Sequence, residues 1–151
     1  MVYTVEIKNI NEMEIFAQEV AKHLFPGFVL CLAGDLGAGK TTFTQFLGKH
    51  MGINDSINSP TFTIMKNYEH KPYSLTHIDA YRLEGVKRDM EVEEYIYSNG
   101  VSVIEWYTYI EESLPDEYLS IHIAFISEHE RHLTIEGRGK YEKIAKSISH
   151  R

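Results

Sequence analysis

Tyr3, Val5 and Ile7 alternate with polar neighbours at the start of the chain, the period of a half-buried strand. Phe16, Ala17, Val20, Ala21 and Leu24 then fall on one stripe at helical spacing. Asn11, with Glu14 three positions on, predicts a capping box at the start of that helix, and Pro26 and Gly27 end it. Residues 28–33 are apolar without interruption, which predicts a central strand covered on both faces. A glycine-rich turn follows, and Phe43, Phe46, Leu47 and Met51 return to helical spacing before Gly52 stops the helix.

Beyond a polar, turn-rich stretch, Phe62 and Ile64 alternate with Thr61 and Thr63, and a second extended run covers residues 73–79. The short connection between them predicts an antiparallel pair. Met90, Val92 and Ile96 mark an acidic helix stopping at Gly100, and residues 101–104 are a buried-type strand with Glu105 and Trp106 at its carboxyl end. Leu119, Ile121, Ile123 and Phe125 alternate, as do Leu133 and Ile135, predicting a hairpin before a short basic helix. The order β-α-β-α followed by mixed β predicts a three-layer α/β domain whose sheet mixes parallel and antiparallel strands.

At 151 residues the chain is the size of one domain, and 43% hydrophobic against 25% charged residues supply an ordinary core. The net charge of −7 repels phosphate backbones and argues against a general nucleic-acid coat. That charge is uneven: residues 84–117 hold ten acids and two bases, residues 131–151 six bases and two acids. Both stretches read as solvated surface. Cys31 is the sole cysteine and lies in an apolar run, so it reads as a buried structural thiol in a reducing compartment. No stretch approaches a membrane span and residues 1–9 lack a signal-peptide pattern, so a soluble cytoplasmic protein is expected.

The chemistry concentrates in Gly34-Asp35-Leu36-Gly37-Ala38-Gly39-Lys40-Thr41, which spells the P-loop pattern G-x-x-x-x-G-K-S/T between a strand and a helix. A polyphosphate needs many converging N–H donors, so the chain must curl, with glycines tolerating unusual backbone angles and leaving room for oxygens. The helix starting near Lys40 adds its positive end, Lys40 reaches the outer phosphates, and the Thr41 hydroxyl suits Mg²⁺. The domain is therefore expected to be P-loop NTPase-like.

Such a site needs a carboxylate at the end of a neighbouring strand to hold the Mg²⁺ shell and order the attacking water. Asp79 and Glu105 both end apolar runs, and residue types alone leave both as candidates. Ser59, Pro60 and Thr61 stand where many P-loop proteins keep a loop that senses the γ-phosphate. Arg82 faces either the nucleotide or the acidic segment after it, and His77 lies two residues before Asp79. The other histidines show no metal-ligand spacing.

Taken together, residues 34–42, Ser59-Pro60-Thr61, His77-Ile78-Asp79-Ala80-Tyr81-Arg82-Leu83 and Ile104-Glu105-Trp106 resemble the TsaE (YjeE) family of small bacterial ATPases, in its order and spacing. The resemblance implies that Gly34 to Thr42 bind ATP, that Thr41 and Glu105 hold Mg²⁺ with Asp79 a further candidate ligand, and that Lys40, Asp79 and Glu105 serve hydrolysis. It implies that the segment from Ser59 to Thr61 moves with nucleotide state, and that the first helix region and the final hairpin lie near the adenine. Residues 10–13 lack the hydroxyl common in that region, and Arg131 is the candidate contact on the hairpin side. The implied role is ATP-driven service to a complex of TsaD and TsaB. That complex forms N6-threonylcarbamoyladenosine at position 37 of tRNAs reading codons that begin with A. Contact with tRNA is then indirect, and no membrane is involved.

Two alternatives compete. A P-loop small-molecule kinase needs a lid with several arginines, and the chain has five arginines without an arginine-rich lid. A guanine-nucleotide switch that binds partner proteins needs a base-reading N-K-x-D string, which is absent.

Overall fold

The computed structural model describes residues 1–60, 63–86 and 88–150. Seven strands form one sheet: β1 (Val2–Ile7), β2 (Val29–Ala33), β3 (Met65–Tyr68), β4 (Leu75–Asp79), β5 (Val101–Glu105), β6 (Leu119–Phe125) and β7 (Arg131–Gly137), in the order β1-β7-β6-β2-β5-β4-β3. β2 is central and parallel to both β5 and β6, and β4 is parallel to β5. The pairs β1/β7, β6/β7 and β3/β4 are antiparallel. The mixed sheet and the antiparallel β3/β4 pair are as the sequence predicts.

Among the described residues four α-helices cover the sheet: α1 (Ile10–Ala21), α2 (Lys40–Met51), α3 (Met90–Ile96) and α4 (Glu142–Ser149). The uninterrupted apolar run of β2 is explained by burial on both sides. Leu30 and Leu32 join one core with Phe16, Val20, Phe43 and Leu47 of α1 and α2, while Val29 and Cys31 join a second with Ile78, Ile104, Val92 and Ile96. Cys31 is fully buried, and burial pushes its thiol pKa up, in keeping with a structural role. No helix among the described residues is long and apolar enough to cross a membrane.

Three boundaries differ from the sequence reading. The cap of α1 is Asn9, whose side chain accepts from the Glu12 amide at 2.9 Å while Glu12 accepts from the Lys8 amide. Asn9/Glu12 and Asn11/Glu14 share one spacing, and the earlier pair wins because a tertiary contact claims Glu14: its carboxylate pairs with Lys49 and His50 of α2. The strand expected from residue 61 begins at Met65, residues 63–64 form a bend, and Thr61 and Phe62 lie outside the described residues. The acidic helix ends at Ile96 rather than running to Gly100.

Candidate functional site

The carboxyl ends of β2, β5 and β4 lie side by side, and each delivers one part of the site. β2 runs into the loop of residues 34–39, where Gly34, Gly37 and Gly39 take φ of 150°, 82° and 115°, values that side-chain-bearing residues rarely adopt. Gly34 is constrained twice over, because a Cβ there would stand 2.5 Å from the Ile123 carbonyl oxygen. Around Gly37 and Gly39 the space is open, so the backbone angle alone selects glycine. The loop then enters α2 with Gly39 as a left-handed cap that has no side chain to satisfy the first-turn amides, which leaves them available to an anion.

Lys40 is buried, and its ammonium bends back to donate to the carbonyls of Gly34 and Asp35, the second at 3.4 Å. It also lies 5.8 Å from the ring centroid of Trp106. Trp106 follows β5 in a left-handed conformation (φ 56°), a turn that stacks its ring on Tyr109 and sets it edge-on to Tyr81. Backbone strain at this position thus places an aromatic wall beside the lysine.

Asp79 and Glu105 are partners in the parallel register of β4 and β5, so the two acids stand at adjacent strand ends. The Asp79 carboxylate accepts from the Tyr81 amide at 3.1 Å and so caps the 3₁₀ turn Ala80–Leu83. Burial raises its pKa above the ordinary carboxylate value, the Tyr81 hydrogen bond opposes this, and the charge of Glu105 adds to it. Glu105 is 5% exposed, and its Oε2 is 2.6 Å from Nε2 of the fully buried His77.

These residues share a cleft of about 320 Å³ lined by Asp35, Leu36, Gly37, Gly39 to Thr42, Ser59, Asp79, Glu105 and Trp106. On the other side of the loop a second cavity of similar size is bounded by Asn9, Ile10 and Met13 of the first helix region, by Ala38, Gly39 and Thr42, and by Glu128, His129 and Arg131 of the final hairpin. Gly39 and Thr42 line both, so the two cavities adjoin across the loop. Ser59, Pro60, Tyr81 and Arg82 extend the first cleft outward.

Arg131 does more than line the second cavity. Its guanidinium donates to the carbonyls of Ala38 (2.7 Å), Ser127 (2.7 Å) and Glu130 (2.9 Å), and lies 4.6 Å from the Phe125 ring. It therefore ties the hairpin to the loop of residues 34–39, a role that sequence position does not disclose. On the opposite side the cavity is lined by the apolar Ile10 and Met13.

A family model described as Threonylcarbamoyl adenosine biosynthesis protein TsaE matches residues 7–133. The chain belongs to the TsaE family. A Bacillus subtilis (strain 168) relative named tRNA threonylcarbamoyladenosine biosynthesis protein TsaE is 42% identical over 142 residues, covering 93% of this chain and 90% of the relative. A Treponema pallidum protein of the same name is 36% identical over 118 residues, covering 77% and 87% of the two chains. The crystal structure of Bacillus subtilis YdiB superposes with a TM-score of 0.83 at 34% identity, covering 99% of this chain and 95% of that one.

The donor set fits a magnesium nucleotide. Among the described residues no three His, Cys, Asp or Glu side chains cluster to hold a metal by themselves. Mg²⁺ keeps waters and takes one or two carboxylates plus substrate phosphates rather than an all-protein cage. Thr41, Asp79 and Glu105 offer hard oxygen donors of the right kind.

Proposed function

We propose that this protein is a Mg²⁺-dependent ATP-binding protein and ATPase that serves the formation of N6-threonylcarbamoyladenosine on tRNA. In this reading it acts on a complex of TsaD and TsaB and meets tRNA only through that complex. Membership of the TsaE family and the names of its relatives support the pathway. The observation that carries the nucleotide reading is the convergence of a glycine curl, Lys40, Thr41 and two carboxylates in one cleft.

In this reading the amides of residues 34–39 and of the first turn of α2 surround the phosphates, and the Lys40 ammonium leaves its loop carbonyls to meet the outer oxygens. Mg²⁺, when bound, would supply neutralisation of charge on the phosphoryl group. Thr41 and Glu105 hold its shell, and Asp79, whose basicity is raised by burial, orients the attacking water and accepts its proton. The cavity between the first helix region and the hairpin takes the adenine. The acidic surface favours docking on protein over gripping tRNA.

The test is ATP hydrolysis by the purified chain alone and with TsaD and TsaB added. Slow turnover alone and faster turnover with the partners is the expected result. Phosphorylation of a nucleoside or sugar at an ordinary kinase rate would replace this reading with the small-molecule kinase, and preference for GTP would replace it with a guanine-nucleotide switch.

A further inference from the structure

His77 is an expensive residue for its position. It sits on β4 with no solvent exposure, on the sheet face shared with Leu75 and Val103 and covered by α1 and α2. Its Nε2 is 2.6 Å from Glu105 Oε2, and its Nδ1 is the one buried side-chain nitrogen or oxygen among the described residues without a hydrogen-bond partner. A buried polar group satisfied on one side only is worse for stability than an apolar side chain of the same volume. Core packing therefore does not account for a histidine here.

Of the two ring nitrogens only Nε2 stands within reach of an acceptor, so the N–H that faces the Glu105 carboxylate is the one on Nε2. Held by the core, that N–H is a rigid donor. Strand register makes the pairing possible: His77 and Asp79 lie on one face of β4, Val103 and Glu105 on the matching face of β5, and the ring reaches diagonally to the next acid along.

We propose that His77 is a positioning residue that holds Glu105 for Mg²⁺: its Nε2–H engages Oε2 and keeps the carboxylate turned toward the cleft shared with Thr41 and Asp79. This rests on the magnesium-nucleotide reading above. It adds that the metal shell is set from beneath, by a side chain that touches neither metal nor nucleotide.

The test separates hydrogen-bond geometry from bulk. In His77→Gln the amide nitrogen comes close to the place of Nε2, whereas in His77→Asn it falls near Nδ1, one bond short of Glu105. Trp106 is the sole tryptophan and lines the cleft, so its fluorescence reports nucleotide binding without reference to turnover. Titrations use ATP with and without Mg²⁺, at a temperature where circular dichroism shows each variant folded. His77→Gln is expected to keep the Mg²⁺ dependence of the wild type. His77→Asn is expected to need about tenfold to a hundredfold more Mg²⁺ for the same fluorescence change, the range typical of lost outer-shell partners, with metal-free ATP affinity unchanged. In a Glu105→Ala background His77→Asn is expected to add nothing further.

Equal behaviour of the two variants, an equal loss of metal-free ATP affinity, or an additive effect in the Glu105→Ala background would overturn the proposal. If the wild type itself gives no Mg²⁺-dependent ATP signal, the nucleotide reading fails and this inference with it. A normal wild type with an unchanged His77→Asn removes only the positioning role.

Discussion

Asp79 and Glu105 face each other across the parallel register of β4 and β5, and the two carboxylates line one cleft with Lys40. Two acids so close, one of them partly desolvated, are not an arrangement that stability favours. Burial raises the pKa of Asp79, whereas Glu105 lies 2.6 Å from the buried His77.

Asp79→Asn should bind ATP as the wild type does and lose turnover by on the order of a hundredfold or more, the usual worth of a general base. Wild-type turnover in a steady-state assay would remove Asp79 from the catalytic set.

The same substitution should change stability with a definite sign. The folded-state pKa of Asp79 is raised above 3.8, so the folded protein holds this proton more tightly than the unfolded chain. Any stabilisation from it is present at low pH and lost as pH rises through the folded value. Without nucleotide, Asp79→Asn should therefore melt above the wild type at neutral pH, because Asn keeps an acceptor for the Tyr81 amide and carries no charge. The gap should close as pH falls through the carboxylate range. Thermal melts from pH 7 downward check this, and a gap that widens toward acid would contradict it.

Lys40→Ala removes the side-chain cation that the proposed function assigns to the phosphates. The loss of a charge-assisted contact of about 2 kcal/mol corresponds to roughly thirtyfold in Kd, read by nucleotide titration. Thr41→Ala should instead raise the Mg²⁺ needed for half-maximal turnover by about tenfold and be rescued in part by added Mg²⁺. A loss indifferent to Mg²⁺ would assign Thr41 to the phosphates alone.

Arg131→Met should destabilise the protein by about 2 kcal/mol, since the carbonyls of Ser127 on the hairpin and Ala38 in the glycine-rich loop lose the guanidinium donor that joins them. Arg131→Lys should not restore it, because an ammonium cannot span the fork that reaches Ala38 and Ser127 together. Equal denaturation midpoints for Arg131→Lys and the wild type would show that a charge alone suffices.

What the sequence discloses and what it hides follow from the range of the forces involved. The phosphate loop is legible because its glycines, lysine and threonine answer local demands of backbone angle and charge within eight residues. The two carboxylates are legible as strand-end acids, since a run of apolar residues that stops at an acid marks its own boundary. The cap at Asn9 is not, because two equivalent Asn/Glu pairs sit in line and a contact from Lys49 and His50 decides between them. Nor are the His77 to Glu105 bond and the Arg131 strut, which depend on strand register and on a hairpin folding back across 93 residues to Ala38.

The most direct test of the central claim is a calorimetric titration of the folded chain with ATP and Mg²⁺. The account predicts saturable binding of one nucleotide per chain, weakened by Lys40→Ala and dependent on Mg²⁺ through Thr41 and Glu105. Well-folded protein that gives no heat with either ATP or ADP would contradict it.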